Sequence, residues 1–386
     1  MKVLLVHNWY RGSIPSGENR VVETELEALR VAGVDARSFF RSSDEFETMS
    51  VLGKARASIA PITGSSNSEF KAILREWGPD VVHLHNPYPL ISPRVVDIAM
   101  QVGVPLVATI HNFRLQCMNG LLFRDGHICT DCEGRSLGIP GVLHSCYRGS
   151  MSQSAIMATA IGLHHKRWDG VSRFIAVSEF VAERLASWGV EKGRIAVKPN
   201  PVSDPQSTTP PQRGFLFAGR LSEEKGVTLL LDSWAQSGLD GAEELLIAGG
   251  GPLFEQVKRR ASQFRSVNVL GVLDAAGVDR VRRRTAVGIT CSLCFEAHPA
   301  VGESFAHGRP VIATDIGALG SIVDDSVGWL VEPTIEGLSA GLVAACDRES
   351  IAKRGASART RYERDYRPEV VVANLIAIYE GVVTRR

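Results

Sequence analysis

Short apolar runs alternate with helical patterns of apolar and polar residues along the chain. The first run, residues 3–6, predicts a buried strand. Apolar residues then recur at helical spacing over 20–32, and Gly33 ends that predicted helix. Strands separated by helices pair in parallel through right-handed crossovers. The alternation continues with predicted strands at 80–84, 105–110, 173–177 and 195–198, and predicted helices at 95–102 and 179–188.

A polar, proline-rich stretch at 200–211 fits neither pattern and is typical of an interdomain linker. The alternation then restarts, with predicted strands at 215–218, 245–248, 267–270, 287–290 and 311–314, and predicted helices at 227–237 and 253–263. We therefore predict an α/β protein with two Rossmann-like, doubly wound domains facing each other across a cleft. The first covers residues 1–205, with a C-terminal helix at 367–386 packing back on it, and the second covers 212–366.

The composition narrows the function classes. Of the 386 residues, 44% are hydrophobic, and 43 basic side chains against 42 acidic ones give a net charge of +1. This nearly neutral charge gives no indication of the basic surface on which nucleic-acid-binding proteins depend. No apolar run is long enough to span a bilayer, and the N-terminal run is too short for a signal peptide. We expect a cytoplasmic protein, with peripheral contact with the inner membrane as an open alternative.

Two cations lie in a loop between a predicted strand and a predicted helix. Arg220 and Lys225 are five residues apart, in a loop bounded by Gly219 and Gly226. A diphosphate needs fixed cations and helix N-terminal amides around it, and Arg supplies a bidentate fork. A solvated turn is the alternative, but the position after a strand favours phosphate binding.

Two further loops follow strands of the second half. The triplet at 249–251, with Gly250 at its centre, lets the backbone approach a ligand closely, although a plain tight turn has the same composition. Glu296 and Glu303 lie between a predicted strand and the strand at 311–314. Each carboxylate can accept two sugar hydroxyls. Glutamates at helix starts also occur merely because they favour the helix dipole.

Taken together in this order, the loops resemble glycosyltransferase family 4, the retaining GT-B enzymes. The resemblance extends over nearly the whole chain. In the second half it is carried by residues 217–221, 225–226, 249–253, 296, 303–313 and 317–319, and in the first by 16–19, 83–86, 109–112, 176–179 and 198–200.

The resemblance implies roles for individual residues. Arg220 and Lys225 would bind the donor diphosphate, with Gly250 in the donor-binding loop. Glu303 would hold the ribose hydroxyls, Glu296 the transferred sugar, and His111 would lie over that sugar. Gly17 would lie in the N-terminal loop nearest the phosphate and the acceptor. Family members need no metal for catalysis.

The chain departs from the family pattern at two points. Six residues separate Glu296 from Glu303, where the family has seven, and Ser321 stands where the family often has a glutamate. The first departure bears on the donor-sugar role of Glu296. It favours an alternative in which the chain is a catalytically silent GT-B protein acting as a binding or assembly subunit.

Cys117, Cys129, Cys132 and Cys146 lie within one glycine-rich segment. The Cys-x-x-Cys spacing of the middle pair is that of a zinc knuckle, and the flanking cysteines would complete a tetrahedral structural zinc site. Free or redox-active thiols are the alternative. A second Cys-x-x-Cys, at 291–294, is predicted to be buried core, and the arginine run at 282–284 a solvated helix face.

The sequence thus predicts a retaining transferase that moves a hexosyl-type sugar from a nucleotide diphosphate sugar to a hydroxyl acceptor. A UDP-sugar is preferred over a GDP-sugar as donor, and envelope polysaccharide or glycoconjugate synthesis is expected by family analogy alone. A nicotinamide dehydrogenase is excluded, because the turn at 8–12 lacks the G-x-G-x-x-G fingerprint.

Overall fold

The computed structural model describes residues 1–12, 16–135, 137–205, 213–295 and 299–384. The chain folds into two compact units. The first comprises Met1–Leu122, Cys129–Pro201 and the segment from Pro368 onward, and the second comprises Phe123–Ile128 and Val202–Arg367.

Most strands are short and buried. They are β1 (Lys2–Trp9), β2 (Asp35–Ser42), β3 (Val81–Leu84), β4 (Leu106–Ile110), β5 (Phe123–Arg124), β6 (His127–Ile128), β7 (Arg173–Ala176), β8 (Ile195–Val197), β9 (Phe215–Ala218), β10 (Leu245–Ala248), β11 (Val267–Gly271), β12 (Val287–Thr290), β13 (Val311–Thr314) and β14 (Gly328–Val331).

Helices connect the strands. They are α1 (Gly17–Val31), α2 (Glu45–Thr48), α3 (Val51–Ser58), α4 (Ala60–Thr63), α5 (Asn67–Trp77), α6 (Arg94–Val102), α7 (Ile139–Leu143), α8 (Met151–His164), α9 (Glu179–Ser187), α10 (Val227–Ser237), α11 (Phe254–Ala261), α12 (Ala275–Arg284), α13 (Pro299–Ala306), α14 (Ala318–Ile322), α15 (Ile335–Ala344), α16 (Arg348–Asp365) and α17 (Pro368–Val383). In the part of the chain that is described, no helix combines the length and apolar character needed to cross a membrane.

The first unit is built on a six-stranded parallel sheet in the order β2-β1-β3-β4-β7-β8. β1 is buried over six consecutive residues, as expected for a parallel strand that is covered on both faces. α1 and α17 supply part of that cover, since Leu29, Leu375 and Tyr379 join the same apolar core as Val3 and Leu5. Burial of these side chains fixes α17 on the first unit.

The second unit contains a six-stranded parallel sheet in the order β11-β10-β9-β12-β13-β14. Its core is centred on side chains such as Trp234, Leu245 and Ile312, which are shielded from solvent. The prediction of two doubly wound α/β domains is confirmed. In the second sheet the strand order reverses beside β9, and in the first beside β1. Ligands of open α/β sheets bind at the carboxyl ends of strands at such switch points.

Candidate functional site

The carboxyl ends of β3 and β4 bring histidines together in the first unit. His83 lies in β3, His85 follows it directly, and His111 follows β4. Because the two strands are parallel neighbours, the residues that follow them are adjacent. His85 Nδ1 lies 2.9 Å from His111 Nε2, with the ring planes 15° apart. The His111 predicted to contact the donor sugar is therefore held by a second histidine.

A buried carboxylate lies behind these rings. Glu25, on the inner face of α1, is completely buried. Its carboxylate lies 2.8 Å from Lys198 Nζ, 3.1 Å from His83 Nδ1 and 3.4 Å from His85 Nε2. Burial alone would raise the pKa of Glu25, but the Lys198 ammonium and the His83 ring hold that pKa well below its ordinary value. Glu25 is therefore ionised at neutral pH.

The imidazoles of His85 and His111 are neutral. Burial lowers the pKa of His85 to about 3, and burial likewise lowers the pKa of His111 to about 3. Desolvation disfavours the imidazolium, and the single negative charge of Glu25 is already balanced by Lys198. At neutral pH each ring therefore has one N–H donor and one acceptor nitrogen.

Polar side chains from three other positions surround the start of α1. Ser16 caps this helix by accepting from the Asn19 amide, so Gly17 is its first residue. Tyr10 Oη donates to the Glu18 carboxylate at 3.1 Å, and Asn112 Nδ2 donates to it at 3.3 Å. Gly17 is therefore the first residue of α1 and not a loop residue, and it lies at the switch point of the first sheet. Its place near the phosphate and the acceptor stays a prediction.

In the second unit, the loop after β9 carries the two predicted cations. Arg220 is exposed and Lys225 is half-buried, and a short 3-10 turn (Glu223–Lys225) separates them. Gly226, with φ of 69°, then leads into α10. A Cβ at Gly226 would lie 1.8 Å from the Cys291 carbonyl oxygen. Only glycine therefore allows the start of α10 to approach the end of β12 so closely.

The glycine loop after β10 is held against the Arg220 loop by its backbone. The Gly219 amide donates to the Ala248 carbonyl at 3.0 Å, and the Leu221 amide donates to the Gly250 carbonyl at 2.9 Å. A Cβ at Gly249 would lie 1.8 Å from the Gly219 carbonyl oxygen. The glycines after β10 therefore allow the two loops to approach closely, and this contact positions the Arg220 loop.

Two more connections complete this edge of the sheet. The Leu293 amide donates to the Glu224 carbonyl at 2.8 Å, and Thr314 Oγ1 donates to the Ser292 carbonyl at 2.6 Å. The loops after β9, β10, β12 and β13 therefore form one connected surface around the switch point.

Glu303 differs from its predicted setting. It lies one turn inside α13, not at its first residue. Its carboxylate accepts from Arg282 at 2.5 Å, and Arg282 also donates to Ser304 Oγ at 2.8 Å. The prediction that the 282–284 run is a solvated face is wrong for Arg282, whose side chain is only 4% exposed. Glu296 lies outside the described residues.

The four cysteines of the predicted zinc site are half-buried thiols. The Leu122 amide donates to Cys117 Sγ, and the Leu122 carbonyl accepts from the Cys129 amide at 2.9 Å. Gly141 likewise contacts both Cys132 and Cys146 through its backbone. Yet among described residues, no three of these sulfurs lie within 4.8 Å of one another. The zinc site remains a prediction.

Sequence reasoning missed the roles of Glu25, His85, Lys198 and Arg282. The pair His83 and His85 stood out only as part of a family motif. Glu25 resembles any glutamate of an amphipathic helix, and Lys198 comes 173 residues later, so no local pattern relates them. A charged residue at an inward helical position is the one available signal.

Two family models match the chain. The model described as Glycosyltransferase Family 4 matches residues 15–204, and the one described as Glycosyl transferases group 1 matches residues 212–348. The chain belongs to the family 4 type of GT-B glycosyltransferases. The two matches correspond to the two α/β units, so the glycosyltransferase loops described above lie within matched sequence. A search of curated protein sequences finds no significant match.

Solved structures agree with this fold. A glycosyltransferase from Rickettsia africae ESF-5 is 15% identical, with a TM-score of 0.69 over 100% of this chain and 99% of that one. HepE of Anabaena, solved in complex with UDP, is 14% identical, with a TM-score of 0.67 over 99% and 100%. Sucrose-phosphate synthase from Thermosynechococcus elongatus is 16% identical, with a TM-score of 0.72 over 100% of both chains. At such low sequence identity, the similarity to these three structures shows that this chain shares their fold and shows nothing beyond the fold.

Proposed function

We propose that this glycosyltransferase is a retaining enzyme that moves a hexosyl-type sugar from a UDP-sugar to a hydroxyl acceptor. The observation that carries the proposal is the connected surface at the switch point of the second sheet. There Arg220 and Lys225 follow β9 and precede the N-terminus of α10. Cations and helix amides at such a position suit a diphosphate leaving group.

In the proposed reaction, the bond between the sugar C1 and the donor phosphate oxygen breaks as the acceptor oxygen attacks C1 from the same face. The acceptor proton passes to the departing diphosphate. Arg220 and Lys225 stabilise the negative charge that develops on that diphosphate. Same-face attack retains the anomeric configuration.

The uridine nucleotide is proposed because HepE of Anabaena, which shares the fold, has been solved with UDP and with UDP-glucose. Glu303 is the proposed ribose ligand, although its carboxylate is engaged by Arg282. That arginine holds the Glu303 carboxylate in one orientation, and a carboxylate with several lone pairs can accept from ribose hydroxyls as well. An envelope polysaccharide or glycoconjugate precursor is the proposed acceptor.

The test is nucleotide release from a panel of UDP- and GDP-sugars. Arg220→Ala and Lys225→Ala should each slow transfer from the preferred donor by about a hundredfold, the effect of losing one preorganised stabilising donor. Arg259→Ala is the matched control, because Arg259 is an exposed arginine near the end of α11. It should leave the rate unchanged. Full activity in the Arg220→Ala, Lys225→Ala double variant would rule out this site.

The silent-subunit alternative predicts a different result. Wild-type protein would then release no nucleotide from any donor of the panel, whether or not UDP binds. Calorimetric titration with UDP separates a protein that binds without turnover from one that does not bind.

The cysteine cluster is proposed as a structural zinc site that holds the segment containing Cys117 and Cys146. Its support is the shared backbone contacts through Leu122 and Gly141. Closing the four sulfurs around a metal would require them to move together, which a partly exposed loop allows.

A further inference from the structure

Buried Glu25 and His85 and half-buried His111 form a chain in which the position of each proton depends on the neighbouring group. Glu25 is an ionised carboxylate and accepts hydrogen bonds only. His85 Nε2 lies 3.4 Å from Glu25 Oε1, too far and poorly aligned for a hydrogen bond. The negative charge of the carboxylate nevertheless favours the proton on the ring nitrogen that faces it. The opposite ring nitrogen of His85, Nδ1, is then an acceptor. It lies 2.9 Å from His111 Nε2, which must therefore be the donor.

We infer that Glu25 and His85 are positioning residues that hold His111 as its Nε2–H tautomer, leaving Nδ1 as a hydrogen-bond acceptor for the ligand. This inference rests on the proposed function only in assigning that ligand to the donor sugar. His111 Nδ1 makes no hydrogen bond to any residue in the described ranges. The proton arrangement itself follows from the geometry of the first unit.

The acceptor character of Nδ1 limits what His111 can bind. A lone pair on a neutral ring accepts from a hydroxyl or an amide N–H, and it repels a phosphate or carboxylate oxygen. His111 is thus suited to a sugar hydroxyl and unsuited to the donor diphosphate. An unligated histidine on a surface would exchange between tautomers, and the buried carboxylate removes that freedom.

The rest of the group keeps the carboxylate in place. Lys198 Nζ holds one oxygen of Glu25 at 2.8 Å, and the other oxygen faces His83 Nδ1 and His85 Nε2. His83 is fixed in turn by the Thr109 hydroxyl and the Tyr379 hydroxyl, each at 2.7 Å.

Glu25, His83 and His85 also offer three possible metal-ligand atoms within 4.8 Å of one another. A metal ion there would be placed beside the ammonium of Lys198, which already neutralises the carboxylate. Two cations at one buried carboxylate would repel each other at short range. The Lys198 ammonium therefore takes the position beside Glu25 that a metal ion would need.

The experiment is ¹⁵N NMR of ring nitrogens in protein labelled at histidine, without ligand. The chain has ten histidines, so the His111 signals are assigned by their loss in His111→Gln. Long-range nitrogen–proton correlations distinguish Nε2–H from Nδ1–H. The wild-type protein at pH 7 should show the Nε2–H tautomer. An Nδ1–H tautomer or an imidazolium would overturn the inference, independently of whether the protein transfers a sugar.

Glu25→Gln should reverse the tautomer. In this variant Lys198 Nζ still donates to the carbonyl oxygen of the new side-chain amide. The NH₂ group of that amide therefore faces His85 Nε2, and this ring nitrogen becomes a hydrogen-bond acceptor. His85 then donates from Nδ1, and His111 carries its proton on Nδ1. Tyr379→Phe is the control, because it removes a buried hydrogen bond to His83 without changing the partner of His85. It should leave the His111 spectrum unchanged.

The variant also has a kinetic readout. Glu25→Gln should raise the donor KM by about five- to tenfold, the effect of one altered hydrogen bond. A spectrum of folded Glu25→Gln that matches wild type would refute the assigned role of Glu25. If wild type is inactive with every donor, the proposed function fails while the tautomer assignment stands on the spectra.

Discussion

Replacing Lys198 by methionine tests whether the buried charges stabilise the first unit as a pair. Lys198 and Glu25 are both completely buried and 2.8 Å apart. Removing one partner of a buried ion pair leaves an uncompensated charge, which costs about 3–5 kcal/mol. For a unit of roughly 200 residues, that corresponds to a fall in Tm of roughly 6 to 20 °C.

The assay is differential scanning calorimetry, which resolves the unfolding transitions of a protein with more than one domain. Lys192→Met is the matched control, because Lys192 is exposed and lies only six positions earlier. That change should alter the free energy of unfolding by less than about 0.5 kcal/mol. The Glu25→Gln, Lys198→Met double variant should recover most of the loss, because it removes both charges.

The dependence on pH gives a second check. The folded-state pKa of Glu25 lies well below the ordinary value of 4.5. The stabilisation that ionised Glu25 gives to the fold is therefore complete above the ordinary pKa of 4.5. It is lost as the pH falls through the lower, folded-state pKa. In Lys198→Met the carboxyl pKa rises, so the loss relative to wild type should shrink as the pH falls. A Lys198→Met variant as stable as the Lys192→Met control at pH 7 would refute the argument.

Two further predictions concern the second unit and the cysteines. Gly249→Ala should weaken UDP binding in calorimetric titration by at least about tenfold, because its Cβ would lie 1.8 Å from the Gly219 carbonyl oxygen. Gly241→Ala, where φ is +83° but nothing lies within 4 Å, should bind UDP like wild type, and equal affinities for the two variants would contradict the loop argument. Protein purified without chelators should contain about one zinc per chain by mass spectrometry. Cys132→Ser should lower the zinc content. Wild-type protein without zinc would show that the four cysteines are free thiols.

The fold could be predicted from the sequence because its signals are local. A run such as residues 3–6 is apolar without alternation, as a strand covered on both faces must be. The Arg220 loop was found for the same reason, since a strand, a glycine-bounded loop and a helix follow one another directly in the chain. Segments with weaker local patterns, such as β2 and α2–α5, were not predicted.

The partners of charged side chains were decided only by the tertiary structure. Glu25 becomes a buried anion because α1 packs its inner face toward β3 and places Lys198 against it. Arg282 leaves the solvent because its side chain reaches α13, where it meets Ser304 and Glu303. Helical periodicity states which way a side chain faces within its own element. Whether it there meets water, a counter-charge or a histidine depends on residues far away in sequence, and hence on the packed fold.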